Sequence, residues 1–65
     1  MAKTIKIWNT RKNCTEYLHR TFPTTSFIDE IMYCLKLDET EAKRVSAGLT
    51  RRGIAHEIVE VEGNH

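Results

Sequence analysis

The spacing of hydrophobic positions changes several times along the chain. Thr4-Ile5-Lys6-Ile7-Trp8 alternates and is rich in β-branched residues, which predicts a strand. Ile5 and Ile7 then share one face, and Lys6 and Trp8 the other. A polar connection, Asn9 to Asn13, follows. Asn13 suits an N-cap, because its side-chain oxygen accepts from the free N–H groups of a first helical turn. Cys14, Tyr17, Leu18 and Phe22 recur at helical spacing and predict a short helix over 14–21, stopped by Pro23. Thr25 or Ser26 caps a second helix over 27–35, whose apolar stripe is Phe27, Ile28, Ile31, Met32, Leu35 and Cys34.

The next signals are the sharpest. Asp38, with Glu41 three residues on, approximates a capping box. Asp38 and Glu39 suit the positive end of a helix dipole, and Arg51 and Arg52 the negative end. A third helix is therefore predicted over 39–52. Gly53 ends it, since glycine enters the left-handed region at little cost. A second strand covers 54–62, and 63–65 reads as a frayed tail. The expected order is strand, three helices, strand. Neither strand is stable alone, so the two are expected to pair antiparallel. Pairing sets Lys3 and Lys6 beside Glu57, Glu60 and Glu62, a favourable arrangement across strands. The expected fold class is α+β, a single domain over 1–65.

Size limits what such a domain does. At 65 residues the core is small, and a large enzyme with an enclosed pocket is excluded. No apolar run reaches the ~18 residues of a membrane span, and the N-terminus lacks the apolar core of a secretory leader, so a cytoplasmic chain is expected. Cys14 and Cys34 do not make a disulfide framework, and with His19 and His56 they lack the paired spacing of a zinc site. No phosphate loop, paired carboxylates or nucleophile motif is present, so neither catalysis nor a cofactor is expected.

Charge adds more than its sum of +1 suggests. Residues 1–20 and 43–52 are basic, while 21–42 and 53–65 are acidic. On the third helix Ala42, Val45 and Leu49 face the core. Thr40, Lys43, Arg44, Ala47, Thr50 and Arg51 face outward, a basic surface without large apolar groups. An α-helix fits the major groove of duplex DNA, and Arg, Lys and Thr reach base edges and phosphates. The competing reading is a solvated face with i,i+4 pairs such as Glu39 with Lys43.

Around this helix stand Tyr17-Leu18, Thr24-Thr25-Ser26, Ile28-Asp29-Glu30-Ile31, Leu35-Lys36-Leu37-Asp38 and Leu49-Thr50-Arg51-Arg52-Gly53-Ile54. This succession, over about residues 14–56, resembles the winged helix-turn-helix family of small DNA-binding regulators. The resemblance implies a positioning helix over 27–35 and a recognition helix over 39–52. Thr40, Lys43, Arg44 and Ala47 would meet the major groove. Arg51, with Arg11 or Lys12, would meet phosphates. Met32 and Lys36 depart from the family's usual Ala and its Gly or polar turn residue. Double-stranded DNA is the partner so implied, and dimerisation or a larger complex is expected of so small a domain. Asp38 to Val61 also resembles the last helix–Gly–strand unit of the ribosomal stalk protein's C-terminal domain and of the ClpS adaptor, both protein-binding modules. The strand ending in Asn9 is similar to the adaptor's. The second functional reading is accordingly a protein-interaction module, an adaptor or inhibitor of a larger protein.

Overall fold

The computed structural model describes residues 2–61. Its elements are strands β1 (Ala2–Asn9), β2 (Cys14–Arg20) and β3 (Ser26–Ile28), a single 3-10 turn at Ile31–Tyr33, one helix α1 (Glu39–Arg51), and strand β4 (Glu57–Val61). The strands form one antiparallel sheet in the order β3-β2-β1-β4. One helix on a four-stranded sheet replaces the expected three-helix winged core.

The first strand, the last helix and the pairing of the terminal strands are as the sequence predicts. Lys3 lies opposite Glu60 and Lys6 opposite Glu57, with ion pairs at 3.3 and 3.5 Å. Asp38 Oδ1 accepts from the Glu41 N–H at 2.8 Å, closing the first turn of α1. At the other end Gly53 sits at φ 77. Its N–H donates to the Thr50 carbonyl at 3.0 Å, and the Ile54 N–H to the Leu49 carbonyl at 3.0 Å. That pair of bonds is a Schellman motif, with the apolar contact between Ile54 and Leu49 that accompanies it. β4 starts at Glu57, leaving 54–56 as its connector; the expected residues 62–65 lie outside the described part.

The helix expected over 14–21 is strand β2. Asn9 Oδ1 accepts from the backbone N–H groups of Arg11 and Lys12, at 3.0 and 3.1 Å, and Asn13 stands at φ 57. Both asparagines therefore make a hairpin turn, and Asn13 caps no helix. The apolar spacing at 14, 17 and 18 suits either element. Pairing with β1 decides for the strand, placing Leu18 in the core beneath α1 and Tyr17 on the opposite face.

The helix expected over 27–35 is also absent. Phe27 pairs with Leu18, and Ile28 with Tyr17. The 3-10 turn has no side-chain cap and buries none of its residues. The chain then inserts into the sheet. β1 and β2 pair directly only between Lys6–Asn9 and Cys14–Tyr17. Where they diverge, Leu35 N–H donates to the Leu18 carbonyl at 2.7 Å, and Lys3 and Leu37 exchange two bonds of 2.8 Å. These backbone groups would otherwise be buried unpaired, which outweighs the helical pattern of the segment. The core is Ile5, Leu18, Leu37, Ala42 and Leu49, flanked by Ile7, Phe27, Leu35, Val45 and Ile54. All of it lies between α1 and one face of the sheet.

Candidate functional site

Amphipathicity sets the pose of α1. Ala42 and Leu49 are buried and Val45 packs beside them, so Thr40, Lys43, Arg44, Ala47 and Arg51 are all exposed, as expected. Lys43 pairs with Glu39 at 3.5 Å. Arg11 and Lys12 are exposed in the β1–β2 turn, and Lys12 pairs with Glu16 at 3.7 Å. Among the described residues no hydrogen bond or ion pair joins that turn to α1. The winged-helix arrangement is corrected on two further points. No second helix braces α1, and the segment meant to position it, 27–35, is extended chain around a 3-10 turn. Asn9 is committed to the hairpin: its Oδ1 holds the turn and its Nδ2 donates to Glu16 at 3.0 Å.

A second surface emerges from the strand register. Trp8 lies opposite Thr15 and Lys6 opposite Tyr17, on the face away from Ile5, Ile7 and the helix. His19 follows buried Leu18 and points to this same face, where its Nδ1–H donates to the Tyr33 carbonyl at 2.8 Å. The 3-10 turn is thereby held over the end of the sheet that α1 does not cover. Thr4, on the same strand face as Lys6, is fully buried, and its hydroxyl has no hydrogen-bond partner among the described residues. The side chains of the turn stay in solvent: Ile31 is 47% exposed, Met32 74% and Tyr33 55%, and Trp8 is 55% exposed. Ile31 and Met32 read as helix core in the sequence. Only the long-range bonds of 35–37 place them outside.

The third arrangement links α1 to the start of β4. His56 Nδ1–H donates to the Ile54 carbonyl at 2.8 Å, which leaves Nε2 to accept from the Ser46 hydroxyl. Both side chains are half-buried. The pair ties the middle of the helix to the connector; a nucleophile–base pair also needs donors for a developing oxyanion. Cys14 and Cys34 are free and half-buried. Among the described residues no three His, Cys, Asp or Glu side chains group as metal ligands. Among the described residues no helix is long and apolar enough to cross a membrane.

Fold and surface together define a small domain of one helix on a four-stranded antiparallel sheet, with one covered and one largely open sheet face. No protein-family model, curated protein or solved structure matches the chain.

Proposed function

We propose that this chain is a protein-interaction module that docks a partner protein on the sheet face opposite α1. One observation carries the reading: three consecutive large apolar side chains, Ile31, Met32 and Tyr33, stand in solvent, and Trp8, on the face opposite α1, is exposed as well. Exposed apolar clusters rimmed by polar groups mark interaction surfaces, and Trp, Tyr and Met are enriched in interface cores. The rim here is Lys6, Glu57 and Thr15. The lysine charge is already offset by Glu57, so the face offers apolar area rather than a field. The hydrogen bond from His19 fixes the turn before binding, which lowers the ordering cost of docking.

The test is paired capture from native extract, using wild type and Met32→Asp. The expected result is one stoichiometric, nuclease-insensitive protein captured by wild type and lost with Met32→Asp. Hydrogen exchange should slow at Trp8 and Ile31–Tyr33 in the complex. Retention of the partner by Met32→Asp, or protection confined to α1, refutes the assignment.

A further inference from the structure

We propose a second binding site, independent of the sheet face: the groove between the 21–25 loop and α1 takes an extended acidic peptide with apolar residues between its carboxylates. The groove consists of two adjoining clefts that share Thr21 and Val45. One, of about 400 Å³, also has Leu35, Leu37, Lys36, Glu41 and Arg44 in its walls. The other, of about 140 Å³, adds Thr25, Gly48, Leu49 and Arg52. Arg44 and Arg52 lie two helical turns apart, about 12 Å along the axis. Cations thus stand at both ends of a floor made by Leu35, Leu37, Val45 and Leu49.

The allocation of charge identifies the occupant. Among the described residues the four ion pairs all use lysine: Lys3, Lys6, Lys12 and Lys43. Among the described residues no arginine has a carboxylate partner, and Arg44 and Arg52 both line this groove. The guanidinium fork binds carboxylates in bidentate fashion and is the group suited to recognise them. Thr21 and Thr25 add hydroxyl donors. Gly48 leaves its wall of the helix bare: a methyl group placed there would meet nothing within 4 Å. A peptide backbone therefore approaches closely.

Glu41 decides between anionic chains. It lines the same cleft as Lys36 and Arg44. It opposes a phosphodiester strand, charged at every step, but tolerates a peptide whose acidic residues alternate with apolar ones. The apolar floor gives the same preference, since it offers alternate side chains a place to bury.

The probe is a short fluorescein-labelled peptide alternating Asp and Leu, followed by polarisation. Comparison probes are an Asp–Ser peptide of equal charge and an oligothymidylate. Saturable binding of the Asp–Leu peptide is expected, weakened about tenfold by Arg44→Glu with Arg52→Glu and weakened strongly by salt between about 50 and 500 mM. Asp–Ser should bind less tightly, and Trp8→Ala should change nothing. Both arginines are exposed, so the double variant should fold, and circular dichroism is the check. Gly48→Glu, which places a carboxylate in the groove, should weaken binding in the same direction. Absence of saturable binding, indifference to the charge reversals, or tighter binding of the oligothymidylate overturns the proposal. The Trp8→Ala control keeps this outcome separate from that of the sheet face.

Discussion

Replacing Gly48 by alanine should stabilise the domain, by an amount that follows from its position. Gly48 lies inside α1, three residues before its last. In a helix interior glycine is less favourable than alanine by about 0.5–1 kcal/mol, because it loses more backbone freedom on folding. The gain is realised only where the new methyl group fits. Here a Cβ has no heavy atom within 4 Å, and the residue does not occupy the left-handed region. A domain of this size is stable by only about 3–10 kcal/mol, so the change is a sizeable fraction. With a urea m-value of about 1 kcal/mol/M, the midpoint should rise by about 0.5–1 M at unchanged m. In heat the expected rise is about 2–8 °C. Trp8 fluorescence and far-UV circular dichroism report the transition. Gly53→Ala is the opposing control. At φ 77 its side chain is strained, and about 1–2 kcal/mol should be lost. A neutral or destabilising Gly48→Ala, or a Gly53→Ala as stable as wild type, would refute the reasoning.

Two further changes test the interior and the hairpin. Thr4→Val removes a fully buried hydroxyl that lacks a partner among the described residues and keeps the shape of the side chain, so a gain of about 1 kcal/mol is expected in urea denaturation. Asn13→Val forces a β-branched residue into the left-handed region at φ 57 and should cost about 1–2 kcal/mol, whereas Asn13→Gly should cost little, both read by thermal melting.

The parts of the fold written in local chemistry were legible. The alternation of Thr4–Trp8, the Asp38 cap, Gly53 and the cross-strand matching of Lys3 with Glu60 need only short-range rules or charge pairing. β2 was concealed by Glu16, a carboxylate buried at an inward strand position between Cys14 and Leu18. It interrupts the period-two pattern and leaves the helical one more visible. The Asn9 and Lys12 side chains that meet it come from the turn the strand itself creates. Residues 27–35 were concealed differently. Their apolar side chains serve three destinations, the core for Phe27 and Leu35, the opposite face for Ile28, and solvent for Ile31 and Met32. A stripe assigned to one face cannot express that division. The exposed residues of α1 were readable from helical period alone. Their junction with the 21–25 loop was not, because it depends on how β2 ends and on the path of 35–37.

The interior position of β1 has a bearing on how the molecule forms. The first strand of the sheet in chain order is flanked by β2, by Leu37 and by β4, and the Lys3–Glu60 pair spans 57 positions. Loop closure over such a distance precedes any reward from contact, which slows folding and makes it cooperative. A nascent chain lacking β4 presents β1 as an open ladder. Until residues 57–61 leave the ribosome, therefore, the domain has no stable half to fold. Its hazard in that interval is the pairing of β1 with the same strand of another copy.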